Sequence, residues 1–163
     1  MSTTDLRSRL LAILTAAAAV LVLGSCGGGD SSSSPKQFQT EANQVCKDAE
    51  QQLDRIQRTA PRTADQAEKQ AAALVDVSKQ ALDNLHQIEP PDDLKTAYDR
   101  YLSAREKAVG FIEDARDAAA DNDAGAYARA KRRLAADQPS RRQLALRVGL
   151  HLCSRPSLPS GGK

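Results

Sequence analysis

The chain has 163 residues, with 23 basic and 21 acidic side chains, three cysteines and no tryptophan. The charge is too nearly balanced for a dedicated nucleic-acid binder, which needs a strong basic excess. The length suits one modest domain, and a composition rich in alanine, leucine, arginine, glutamine and aspartate, with few β-branched residues, favours helix over strand.

From the start of the chain, Met1 to Leu23 has the three-part layout of a secretory signal. Arg7 and Arg9 supply the positive region, and Leu10 to Leu23 form an apolar run. That run is shorter than the roughly 20 residues a bilayer span needs. Its ending, Leu21-Val22-Leu23-Gly24-Ser25-Cys26, resembles the bacterial lipoprotein signal. The resemblance implies that Cys26 receives a diacylglyceryl group, that cleavage falls just before it, and that the lipid holds the protein to the outer face of the cytoplasmic membrane. Buried acyl methylenes would contribute about 0.8 kcal/mol each to that anchoring. The alternative is an ordinary cleaved signal with a coincidental cysteine. Gly27-Gly28-Gly29-Asp30 and the serines after them cannot pack, so they read as a flexible tether with a reach of roughly 17 Å.

Ser34-Pro35-Lys36-Gln37 combines an N-cap serine, a proline at the first helical position and a glutamine at the third. Behind it, Phe38, Ala42, Val45, Cys46, Ala49, Leu53 and Ile56 recur at spacings of three and four, one face of a helix ending before Pro61. Thr63-Ala64-Asp65-Gln66 is a second capping box. It opens the stripe Ala67, Ala71, Leu74, Ser78, Ala81, Leu82, Leu85 and Ile88, which Pro90-Pro91 stops. A third helix is expected to start near Asp92 and to carry Leu94, Tyr98, Tyr101, Leu102, Ala108, Val109, Ile112, Ala115 and Ala119. Asp121-Asn122-Asp123 breaks it, with Asp123 as cap for a fourth helix bearing Tyr127, Ala130, Leu134, Leu144, Ala145 and Val148. Pro139 lies inside that last pattern and should kink or split the helix, with Asp137 capping the second piece. Gly149 reads as the C′ glycine, with Leu150 folding back over the last turn.

Short connections make successive helices antiparallel neighbours. The expected fold is therefore all-α, an up-down-up-down four-helix bundle. The limits are 1–25 for the signal, 26–35 for the lipidated tether, 36–153 for the bundle and 154–163 for a flexible tail. In this topology the start of the first helix and the end of the fourth share one end. Cys46 lies about 15 Å from the start of its helix, and the segment after Gly149 is long enough to bring Cys153 back to it. With Cys26 lipidated, Cys46 and Cys153 are left as a pair, and an exported chain meets oxidising conditions. The topology permits the bridge; two unpaired buried thiols are the alternative. Asn43, three residues before Cys46, is placed to bond backbone groups between Gly149 and Leu152.

Two segments, Glu41-Ala42-Asn43-Gln44-Val45-Cys46 and Val148-Gly149-Leu150-His151-Leu152-Cys153, bracket this helical region. Their motifs, Ala-Asn-x-x-Cys and Gly-Leu-x-x-Cys, resemble those of a group of small, uncharacterised actinobacterial lipoproteins. The resemblance spans the mature domain and implies a helical, disulfide-closed extracytoplasmic fold with no activity attached to it. Pro139 departs from the continuous last helix that it implies.

Residues that could carry chemistry are sparse. His86 stands between Asp83 and Glu89, but di-metal bundles need two Glu-x-x-His motifs and two further glutamates. No metal site or cofactor is expected. The sequence holds no nucleophile motif, Walker loop or Gly-x-Gly-x-x-Gly, so an enzyme is not expected either. The basic residues of the last helix, Arg129, Lys131, Arg132, Arg133, Arg141 and Arg142, follow an acidic third helix. The plain reading is that the two helices pair. The sharper one is a basic face toward anionic lipid or cell-wall polymer. The function these features suggest is a non-enzymatic interaction or structural domain at the cell envelope. The alternative is a carrier of a small apolar ligand between the helices, with Ala71 and Ala115 leaving room for it.

Overall fold

The computed structural model describes residues 34–155, which form four helices: α1 (Pro35–Gln57), α2 (Ala64–His86), α3 (Lys95–Ala120) and α4 (Ala124–Arg147). The signal, Cys26, the tether to residue 33 and the tail from residue 156, with the expectations placed on them, lie outside the described residues.

Three of the four helices, α1, α2 and α4, begin at a side chain that satisfies a free backbone N–H. Ser34 Oγ accepts from the Gln37 N–H at 3.3 Å, with Pro35 opening α1. Thr63 Oγ1 accepts from the Gln66 N–H at 3.2 Å, and the Gln66 side chain accepts from the Arg62 N–H at 2.9 Å. Asp123 closes α3 and opens α4. Its N–H bonds the Ala118 carbonyl at 2.8 Å, and its Oδ1 accepts from the Ala126 N–H at 2.8 Å. Asn122, at φ 56°, makes the left-handed turn between them. α4 ends in the same way at Gly149, φ 76°, where Leu150 N–H bonds the Ala145 carbonyl at 2.9 Å and Gly149 N–H bonds that of Leu146 at 3.1 Å. This is the Schellman pairing, and it turns Leu150 into the core, fully buried.

Two expected boundaries are corrected. α3 starts at Lys95 and not near Asp92, because Pro91-Asp92-Asp93-Leu94 first makes a tight turn. The Leu94 N–H bonds the Pro91 carbonyl at 2.9 Å, and the Lys95 N–H bonds that of Asp92 at 3.3 Å. α4 runs unbroken through Pro139, and Asp137 lies inside it without capping a second piece. Pro139 sits on the exposed face, where the carbonyl it leaves unbonded can meet water. Arg141 spans the interruption, its Nη2 donating to the Leu134 carbonyl at 3.2 Å and its Nε to Asp137 Oδ2 at 2.8 Å.

Consecutive helices pack together, α1 on α2, α2 on α3 and α3 on α4. The cross-links run in opposite senses along each pair, so the neighbours are antiparallel. Gln70 Nε2 donates to the Ile56 and Thr59 carbonyls, Lys79 pairs with Glu113, and His86 pairs with Glu106. Between α3 and α4, Lys107 pairs with Asp137 and Arg133 with Asp114. α1 and α4 make no comparable packing with each other among the described residues. They are joined by the segment after α4.

The core is unequal along its length. Phe38, Leu85, Tyr98, Tyr101, Val148 and Leu150 are all under 2 % exposed and meet at the end where α1 starts and α4 finishes. The opposite end is closed by Ala67, Ala71, Ala115, Ala118, Ala119 and Ala130. Alanine brings helices close, but each contributes less apolar area than a leucine or an aromatic ring, so hydrophobic stabilisation concentrates at the first end.

Candidate functional site

At the large-residue end, Cys46 of α1 is bridged to Cys153, with Cα atoms 5.0 Å apart. The returning segment is also held without the bridge. Asn43 Oδ1 accepts from the Leu152 N–H at 2.8 Å, and Asn43 Nδ2 donates to the carbonyls of Gln39 at 2.7 Å and Gly149 at 3.4 Å. Arg155 reaches Glu50 at 3.8 Å. The expected role of Asn43 is therefore the observed one. Asn43→Ala would leave part-buried backbone groups of the segment without a partner. It should lower the unfolding free energy by about 1–3 kcal/mol, read as a lower urea midpoint with an unchanged slope. An unchanged midpoint would mean that Asn43 carries no weight in the fold.

Behind the bridge lies a charged seam. The Tyr101 hydroxyl belongs to a residue 0 % exposed; it lies 3.8 Å from Cys46 Sγ and also takes a hydrogen bond from the Arg105 side chain. Burial pushes the pKa of Tyr101 up, while Arg105 and Arg141 pull it down. Asp137, with its side chain 12 % exposed, takes Arg141 on Oδ2 at 2.8 Å and Lys107 on Oδ1 at 3.2 Å. Burial lowers the pKa of Arg141, with Asp137 opposing that shift and Arg105 reinforcing it.

The six basic residues expected to share a surface do not do so. Arg141 points inward, its side chain 16 % exposed. Its slot on α4, between Leu134 and Ala145, faces the core, and Asp137 satisfies it there. Arg133 pairs with Asp114 at 3.2 Å and lies over the Phe111 ring, and Arg129 reaches Asp123 at 4.0 Å. Lys131 lies over the ring of Tyr127. Arg132 and Arg142 are exposed, with no ion pair among the described residues. The pairing of α3 with α4 thus accounts for Arg133 and, through Asp137, for Lys107. Arg129 to Arg133 also stand near the start of α4, at the end opposite Ser34 and the bridge.

His86 is exposed and meets Glu106 at 3.2 Å, not Asp83 or Glu89, and His151 is exposed beside the bridge. Among the described residues no three His, Cys, Asp or Glu side chains are grouped as metal ligands, and no helix is long and apolar enough to cross a membrane. Two open clefts flank the α1–α2 loop. One, of about 420 Å³, is lined by Ile56, Thr59, Pro61, Arg62, Gln66 and Gln70. The other, of about 240 Å³, lies between Pro61, Ala67, Ala118, Asp123 and Tyr127.

Arg105 and Asp137 were missed as partly buried groups by sequence reasoning, which sought apolar residues at core spacing. The signal was the charge itself, since Arg105 follows Tyr101 by four and precedes Val109 by four. No protein-family model, curated protein or solved structure matches the chain.

Proposed function

We propose that the protein is a lipoprotein, held by Cys26 to the outer face of the cytoplasmic membrane, whose up-down-up-down bundle binds an anionic partner in the cell envelope and performs no chemistry itself. The observation that carries this reading is the Cys46–Cys153 bridge. It uses two of the three cysteines, so the one left over is the cysteine that ends the lipobox-like segment. A structural bridge also suits an oxidising compartment.

The position of the exposed cations bears on the partner. Lys131 and Arg132 lie some fifteen residues before the end of α4, roughly 23 Å along the helix from the tethered end. That exceeds the ~8 Å Debye length at physiological salt. An upright domain would therefore present these residues outward, to a polymer or protein, and not to the bilayer that anchors it. A carrier of apolar ligands has less support. The clefts are open, the larger one has Thr59, Arg62, Gln66 and Gln70 in its wall, and aromatic and aliphatic side chains fill the interior at the bridged end.

Cys26→Ala tests the anchor. In the native host, the wild-type protein should incorporate a labelled fatty acid and lose its leader, and the variant should take up no label. A variant labelled as strongly as the wild type, or an unlabelled wild type, would rule out a lipid on Cys26.

A further inference from the structure

The α1–α2 loop lies at the end of the bundle opposite the bridge. The larger open cleft, of about 420 Å³, is cut beside this loop, and α2 side chains hold its walls in place. Gln66 Oε1 accepts from the Arg62 N–H at 2.9 Å. Gln70 Nε2 donates to the Ile56 carbonyl at 2.8 Å and to the Thr59 carbonyl at 2.9 Å. These bonds fix the loop at both of its ends, so the cleft is formed before anything enters it. They also leave polar capacity in the lining. Gln66 keeps its Nε2 donors and Gln70 its Oε1 acceptor, and the Thr59 hydroxyl makes no hydrogen bond among the described residues. Arg62 is the one charged residue in the lining, and it stands in the wall of the smaller cleft as well. It is exposed and makes no ion pair among the described residues. Beside these polar groups, Ile56, Ala60 and Pro61 give the cleft an apolar wall.

We propose that this cleft binds the C-terminal carboxylate of a peptide whose last side chain is small and apolar. One guanidinium, with no carboxylate beside it in the lining, matches one negative charge. A guanidinium fork holds a carboxylate by two parallel, charge-assisted hydrogen bonds. Gln66 Nε2 and the Thr59 hydroxyl are further donors for its oxygens, and Gln70 Oε1 is an acceptor for the peptide N–H next to them. Ile56, Ala60 and Pro61 offer cover for a methyl-sized side chain. A phosphodiester in a polyol polymer also carries one charge, but its polar neighbours would leave that apolar wall without a partner. At the end of a peptide the charge and the small apolar group hang from one carbon, the same pairing that the lining presents. The site rests on the anionic-partner reading and narrows it to a peptide end met at the tip of the bundle. It does not depend on the lipid anchor.

The test is a titration of the purified, disulfide-intact, isotope-labelled protein with N-acetyl-Ala-Ala, as the free acid and as the C-terminal amide, at constant pH and ionic strength. Backbone amide shifts report the binding. The free acid should move the signals of Thr59, Arg62, Gln66 and Gln70 and leave those of Gly149 to Arg155 in place. The amide should bind about tenfold more weakly or worse, because it gives up the charge-assisted hydrogen bonds. Arg62→Gln keeps the backbone N–H that Gln66 holds, so the loop is retained, and it should weaken the free acid about tenfold. Arg62→Lys should lose less, and Arg58→Gln, at an exposed arginine outside the lining, should lose nothing. Absence of shifts with the free acid would overturn the proposal, as would equal binding of acid and amide. Equal losses in Arg58→Gln and Arg62→Gln would reduce the effect to surface charge and overturn it as well. A parallel titration with soluble poly(glycerol phosphate) separates this site from the wider reading. If the polymer moves Lys131 and Arg132 while the dipeptide moves nothing, the cleft site falls and the anionic-partner reading stands.

Discussion

Replacing both bridge cysteines, Cys46→Ala with Cys153→Ala, should lower the unfolding free energy by about 3–5 kcal/mol while leaving the helical circular dichroism spectrum unchanged. The bridge joins residues 107 apart, so in the chain-entropy model it removes a large share of the unfolded chain's freedom, up to roughly 4.7 kcal/mol for a loop near 100 residues. The folded state loses less than the bond count suggests. Without the bridge, Asn43 still holds Gly149 and Leu152, Leu150 remains in the core, and Arg155 stays near Glu50. The variant should therefore fold to the same shape and unfold at markedly lower urea. A midpoint equal to wild type would mean that the bridge adds nothing to stability. Loss of helix in buffer would mean instead that the non-covalent contacts cannot hold the segment.

The second large effect is expected at Phe38. Its ring meets Tyr98 edge-on at a centroid distance of 4.9 Å, and Tyr98 lies 6.2 Å from Tyr101. The Tyr98 hydroxyl donates to the Leu85 carbonyl at 2.7 Å, tying α3 to the end of α2. Phe38→Ala would open a void among rigid aromatic neighbours and should cost about 3–5 kcal/mol. Leu53→Ala, at a half-buried position further along the same helix, should cost much less, since water already reaches the side chain. The contrast tests the unequal core: equal losses would contradict it. The same cluster gives a pH dependence. Burial raises the pKa of Tyr98 and of Tyr101 above the ordinary tyrosine value. The unfolded chain therefore releases these protons first, and stability should decline as the pH rises through about 10.

Much of the fold could be read from residue chemistry. Ser34, Thr63, Asp123 and Gly149 each offered a cap that a helix end requires, and each is used. The bridge followed from an odd cysteine count together with a topology that brings the two chain ends to one place. The start of α3 was placed near Asp92, directly after Pro90-Pro91, whereas Pro91 to Leu94 first make a turn. The split that Pro139 suggested, with Asp137 capping a second piece, does not occur, because the rule against proline in a helix is local, while its exposed position and the reach of Arg141 come from the packed structure. The seam at Arg105, Asp137 and Arg141 was hidden for a different reason. Periodicity locates a core by its apolar residues, so charges within the stripe read as interruptions and not as interior groups. The basic residues of α4 looked like one set along the sequence, but the turn of the helix divides them between the core, α3 and solvent.

The most direct test of the central claim is the intact mass of the protein extracted from membranes of its native host, with free thiols alkylated before and after reduction. The account predicts a chain that begins at Cys26 with a diacylglyceryl adduct, takes up no alkyl group before reduction, and takes up two afterwards, at Cys46 and Cys153. A chain that retains the leader, or one whose Cys26 alkylates as a free thiol, would contradict the anchor. Alkylation of Cys46 and Cys153 before reduction would contradict the closed bundle.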